Sequence, residues 1–294
     1  MQMLETISEP VLRLGMFAAV FVVMAALEAV RPMRKQRSVR MWRWSTNLAL
    51  AVTGSVLVRL LGLLAAPLVA TGAAVLAARH GWGLFNLLDW PAALAFGLSL
   101  VALDFAIWLQ HVASHKIPLF WRFHRMHHAD IDIDLTTGIR FHPIEIAVSM
   151  LYKVVWVLVL GVPASAVLAF EVILNACAMF NHANVRLPPA FDRLLRLAVV
   201  TPDMHRVHHS IEPDEHASNY GFNLSVWDKL FGTYRAEPRA GHLAMTIGLA
   251  PWQDEAPTRL WWSLVLPWIL PMTSSGDGQL KIPPESAASE AAGQ

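Results

Sequence analysis

Apolar runs of membrane length recur along this chain, separated by short polar or basic connectors. The first covers residues 11–30, with Arg13 and Glu28 near its ends. Twenty residues at 1.5 Å each extend about 30 Å, the hydrocarbon thickness of a bilayer. A basic stretch follows it rather than a small-residue cleavage site, so it reads as an uncleaved membrane helix and not a signal peptide. A second run, 48–70, is interrupted by Arg59, a cost that predicts an arginine turned toward protein or water. Residues 71–89 are rich in Gly and Ala and predict a short outer loop or a shallow helical excursion. A third span opens at Pro91 and runs through Gln110. Two further segments, 144–161 and 163–180, hinge at Gly161-Val162-Pro163 and predict a helical hairpin near the lower limit for spanning.

Beyond the spans the pattern changes. Residues 186–200 set Arg186, Arg193 and Arg196 among leucines, an amphipathic helix suited to lie along the membrane surface. Residues 217–235 read as a folded cap. The Trp-rich piece 260–272 is too short to span and reads as an interfacial anchor, and 273–294 holds little to bury, which predicts disorder. The expected architecture is all-α: an integral-membrane helical bundle of about four spans and one hairpin, under a cytoplasmic histidine-rich helical cap. Its expected parts are 1–90 (transmembrane helices and basic loop), 91–259 (third span, hairpin and cap) and 260–294 (anchor and tail).

Charge fixes the expected orientation. Arg31, Arg34, Lys35, Arg37, Arg40 and Arg43 lie between the first two spans without one acid, the mark of a cytoplasmic loop. Charged residues make up only 15% of the 294, below the share of about 25% in ordinary soluble domains. A net charge of +1 argues against nucleic acid as a partner. Cys177 is the single cysteine, which excludes an intramolecular disulfide and a thiolate metal cage. Any metal must therefore take nitrogen or oxygen ligands.

Thirteen histidines are present, and they are not scattered. His111-x-x-x-His115 ends the third span, His124-x-x-His127-His128 follows, and His205-x-x-His208-His209 repeats the second spacing. Positions i, i+3 and i+4 share one helix face, so each box can aim its imidazoles in one direction. Neutral imidazole is a common ligand for iron, zinc, copper and nickel. Eight such groups point to two ions or one shared cluster, and His182 in the segment NHANV is a ninth candidate, with Asn184 as a polar neighbour that could add a ligand or support one. His142 in FHPIE is a possible further ligand, or a capping or supporting residue. Asp104 lies two helical turns before His111 and is expected to orient a ligand histidine, the alternative being a structural hydrogen bond or a pair with Arg59. Asp130, Asp132 and Asp134 lack a glycine-centred calcium pattern and read as a solvated loop. His80, His216 and His242 fall outside the boxes and read as non-ligands.

The order HxxxH, HxxHH, FHPxE, NHxN, HxxHH and NYGFNLSVWDKLFGTY, over roughly residues 95–240, resembles the fatty acid hydroxylase/sterol desaturase superfamily of integral-membrane di-iron enzymes. The resemblance maps the metal ligands onto His111, His115, His124, His127, His128, His182, His205, His208 and His209. Some members carry a further histidine four residues before the one matching His182, where this chain has Ala178. The resemblance implies two iron ions (zinc being possible in purified protein), O2 as co-substrate and hydroxylation of an unactivated C–H bond of a lipid. The chain shows no Gly-rich dinucleotide motif and too few cysteines for an iron–sulfur cluster, so the electrons are expected from a separate donor, whether cytochrome b5-like, a ferredoxin or a reductase. A lipid desaturase would use the same site. A membrane metal transporter would instead spread its histidines along mid-span helices.

Overall fold

A computed structural model describes residues 8–88 and 90–269, so the predicted disorder of 273–294 lies outside the described residues. The fold is all-helical, without a strand among the described residues. The long helices are α1 (Glu9–Val30), α2 (Arg40–Leu64), α5 (Ala92–Lys116), α7 (Pro143–Leu160) and α8 (Ala164–His182), with the shorter α3 (Ala70–His80), α4 (Leu84–Leu87) and α6 (Pro118–His128) between them. After α8 come α9 (Pro189–Leu195), α10 (Pro202–His208), α11 (Pro213–His216), α12 (Val226–Leu230), α13 (Gly241–Ala244) and α14 (Leu260–Ile269). Five helices (α1, α2, α5, α7 and α8) are long and apolar enough to cross a membrane. The expected count was about four spans and one hairpin; beside the hairpin α7–α8 stand three such helices, α1, α2 and α5.

Local chemistry sets the boundaries. Gly161 ends α7 at φ 68°, a left-handed conformation that glycine adopts without a Cβ clash, and Pro163 caps the start of α8. The hinge read from Gly161-Val162-Pro163 is therefore real. The predicted excursion at 71–89 is α3, whose Ala70, Ala73 and Ala74 are buried against α7 and α8. Small residues let the backbones approach closely, as helices must when lipid supplies no hydrophobic drive between them. Valines and leucines such as Val22, Val23, Val56, Leu60, Leu98, Val155 and Val159 point outward. An outer surface this apolar suits lipid rather than water.

Two polar features were not legible as such. Inside the bundle Glu171 of α8 bridges Lys153 of α7 and Arg13 of α1, each contact 2.6 Å. Burial of an acid among apolar helices requires such pairing. Arg59 is exposed rather than turned toward protein, but it stands five residues from the end of α2, where a long side chain can reach the interface.

All five long helices put the same side of the bundle at one place. The C-terminus of α5, the N-terminus of α7 and the C-terminus of α8 carry His115, Glu145 and His182. Glu28, near the end of α1, accepts the Asn184 and Leu135 amides, and Arg43, near the start of α2, pairs with Asp130 and Asp134 at 2.8 Å each. The predicted solvated loop is thus buried: Asp130, Asp132 and Asp134 are 2%, 7% and 0% exposed. Their carboxylates are held by Arg43, Gln36, Trp44 and the Arg37 and Ser38 amides. The arginine beside them keeps Asp130 below the usual carboxylate range and Asp134 down to about 2, against the desolvation that would raise both. Reading alternating aspartates as solvated fails when the basic residues that pair with them lie ninety positions away.

Candidate metal centre

The eight box histidines and His182 converge at that end of the bundle. They divide into two groups within which the ligand-capable atoms lie within 4.8 Å of one another: His111, His115, His124, His128 and His208, and His127, His182, His205 and His209. Among the described residues no other His, Cys, Asp or Glu meets that distance to every member of either group. The two HxxHH boxes divide in opposite senses. His124 and His128 serve the first group and His127 the second, whereas His205 and His209 serve the second and His208 the first. The i and i+4 residues stack one above the other on a helix, and the i+3 residue beside them reaches the neighbouring group. A box therefore does not aim at one ion; it bridges two groups.

Hydrogen bonds fix the rings. His111 Nδ1 donates to the Tyr220 carbonyl, His208 Nδ1 to the Ser218 carbonyl and His182 Nδ1 to the Ala178 carbonyl, each at 2.7 Å, and His127 Nδ1 donates to the Arg140 carbonyl at 3.1 Å. A carbonyl only accepts, so in each neutral ring the lone pair is on Nε2 and faces inward. Inside, Nε2 of His111 lies 3.1 Å from Nε2 of His208 and of His124. Nε2 of His182 lies 3.1 Å from that of His127 and 3.0 Å from that of His205. Paired lone pairs at these distances repel unless a cation sits between them. Two nitrogens bound about 2.1 Å from one ion at roughly right angles are about 3 Å apart, so the donor set fits a metal.

Electrostatics agree. Burial pulls His124 down to about 3 and holds His127, His128, His205, His208 and His209 well below 6.5, neighbouring imidazoles adding to the effect at the last five. All are neutral at physiological pH, the form that binds metal. Phe141 stacks on His127 at 4.5 Å, and Phe222 lies 4.9 Å from His111, so apolar rings wall the centre from water.

Three further candidates lie outside the two groups. Asp104 orients no histidine and does not meet Arg59: its Oδ2 accepts the Trp227 indole N–H at 2.8 Å and the Leu224 amide at 3.3 Å. Sharing a helix face with His111 was insufficient, because the cap segment lies over that face. His142 takes the capping alternative: its Nδ1 accepts the Ile144 amide at the start of α7, its Nε2 donates to the Leu264 carbonyl, and it joins neither group. Asn184 is scaffold, exchanging hydrogen bonds with the backbone of Arg34.

Two residues were missed. Glu145, the acid of FHPIE, takes the His124 Nδ1–H at 2.7 Å. Asp228 takes the Trp108 indole N–H and the Tyr220 and Gly221 amides, and so sets the carbonyl that orients His111. The acid in FHPIE was the available signal for the first. The second had none beyond its place in the cap. The α14 helix is also more than an anchor: its backbone carbonyls take donors from Arg122, Arg125 and His142.

Residues 96–233 match the family model described as fatty acid hydroxylase. The ornithine lipid hydroxylase OlsE of Rhizobium tropici is 33% identical over 153 residues, 51% of this chain and 45% of that protein. The alkylglycerol monooxygenase of Homo sapiens is 32% identical over 161 residues, 54% of this chain and 34% of that protein. The cholesterol 25-hydroxylase-like protein of Danio rerio is 27% identical over 139 residues, 47% of this chain and 54% of that protein. The aligned stretches thus cover between a third and about half of these curated relatives. No solved structure matches. The segment that carries both histidine groups thus matches the fatty acid hydroxylase family, and the curated relatives support the fatty acid hydroxylase/sterol desaturase superfamily.

Proposed function

We propose that the chain is a multi-pass membrane oxygenase that hydroxylates an unactivated C–H bond of a membrane lipid, with two iron ions held by the nine grouped histidines. The observation that carries this reading is the pair of buried histidine groups, with lone pairs turned inward at the ends of lipid-facing helices. Iron there would supply O2 activation: one oxygen atom enters the C–H bond, and the other leaves as water with two protons and two electrons. The chain's own residues do the positioning. The carbonyls of Tyr220, Ser218, Arg140 and Ala178 fix the rings, Glu145 fixes His124, and Phe141 and Phe222 exclude water.

The two electrons come from a separate redox protein. The side that carries the centre is cytoplasmic, since Arg31, Lys35 and Arg37 are exposed on the loop joining α1 to α2 there. The domain reading places catalysis in 91–259, around the matched segment. The names of the relatives, an ornithine lipid hydroxylase and alkylglycerol monooxygenases, support a lipid bearing a polar headgroup as substrate.

The test is lipid mass spectrometry of cells grown under 18O2 with the intact protein, with His205→Ala and without the protein. The reading expects a lipid that gains one labelled oxygen atom only with the intact chain. A lipid that loses two hydrogens without gaining oxygen would make the chain a desaturase, and an unchanged lipid profile would count against an oxygenase.

A further inference from the structure

His216 was expected to stand apart from the boxes, yet its ring packs among them. It ends α11, and its centroid lies 4.4 Å from that of His128, 4.8 Å from His115 and 5.8 Å from His208, the last pair nearly parallel at 2°. All three neighbours belong to the five-histidine group. One edge of the residue reaches the surface, but both ring nitrogens are sealed from solvent and neither has a hydrogen-bond partner. A buried imidazole with no partner on either nitrogen is not a satisfied core residue, because buried polar atoms almost always find one.

The segment that carries the ring is fastened. Asp214 pairs with Arg235 at 2.6 Å, Glu215 accepts the Arg239 amide at 2.6 Å, and the Ser218 hydroxyl donates to the Glu215 carbonyl at 2.6 Å. The Ser218 carbonyl in turn takes the His208 Nδ1–H. The strap that aims His208 at the centre therefore holds His216 as well.

We propose that His216 is a tenth metal-binding histidine, a donor to the ion of the five-histidine group. The inference rests on the reading that the two groups hold metal.

Cobalt(II) loading of the purified full-length protein tests it without recourse to turnover. Intact protein should take up two ions. His216→Ala and His216→Gln should change the visible ligand-field bands and release one of the two ions to a chelator about tenfold faster or more. His216→Asp, which keeps a donor oxygen, should hold that ion longer than His216→Ala, and added imidazole should move the bands of His216→Ala back toward those of the intact protein. His80→Ala should match the intact protein, since that ring stacks on Trp82 at the far end of α3. Bands and release rates unchanged in both His216→Ala and His216→Gln would overturn the assignment while leaving the metal reading standing. Failure of the intact protein to bind cobalt would overturn both.

Discussion

His124 Nδ1 lies 2.7 Å from Glu145 Oε1, across the gap between α6 and the first turn of α7. This contact fixes a ring of the five-histidine group, the role expected of Asp104. Glu145→Ala should lower metal affinity at the five-histidine group by about 10–100-fold, and Glu145→Gln, which keeps an acceptor oxygen, by less. Metal titration of both variants checks the order. Equal affinities for Glu145→Ala and the intact protein would remove Glu145 from the centre.

Asp104→Asn, by contrast, should leave metal binding intact. The carboxylate braces the cap through Trp227 and Leu224 and touches no grouped histidine. Exchanging a charge-assisted hydrogen bond for a neutral one costs on the order of 1 kcal/mol, enough to lower a thermal midpoint by a few degrees. Trp227→Phe removes the same bond from its other end, so the double variant should be less destabilised than the sum of the singles. A loss of metal in Asp104→Asn would restore the orienting role.

The grouped histidines predict a one-sided pH response of the metal-free protein. His124 and its neighbours are neutral when folded because burial holds them far below 6.5, whereas in the unfolded chain they titrate near that value. Above 6.5 neither state binds the proton and stability is unaffected. As pH falls from 6.5 toward 3 the unfolded chain takes up protons that the folded chain refuses, so stability falls. Thermal midpoints of chelated protein should be flat from pH 8 to 7 and drop steadily below 6.5. A flat profile down to pH 5 would show that these rings are not sealed in the metal-free fold.

Most of the centre was legible because its signal is short-range and periodic. The spacings in 111–128 and 205–209 report helix faces, and those faces exist before any tertiary contact forms. The apolar runs likewise marked α1, α5, α7 and α8 to within a few residues, because spanning length is a local property. What failed was long-range. Arg43 and Asp130 stand 87 positions apart, and neither alone announces a buried pair. His216 looked isolated in sequence and is brought to the boxes only by the turn that follows His209. The division of each HxxHH box between two groups also lay beyond a reading of one helix at a time.

Gly138 offers a test of how tightly the loop after α6 is fitted to the centre. A Cβ there would lie 2.3 Å from the Ala178 carbonyl oxygen and 2.7 Å from its carbon, distances no packed atoms tolerate. The Ala178 carbonyl takes the His182 Nδ1–H, and two residues beyond Gly138 the Arg140 carbonyl takes the His127 Nδ1–H. Gly138→Ala must therefore push the 137–139 turn away from α8, disturbing two of the four histidines of the second group together. The expected cost is about 1–3 kcal/mol of stability, with metal affinity at the second group falling about tenfold or more and the first group less affected. Gly97→Ala is the matched control, since a Cβ there meets nothing within 4 Å and should be neutral or stabilising. Metal content after graded chelation separates the outcomes: one ion lost early in Gly138→Ala and none in Gly97→Ala is expected. Release of both ions together would mean that the turn supports the whole bundle rather than the second group.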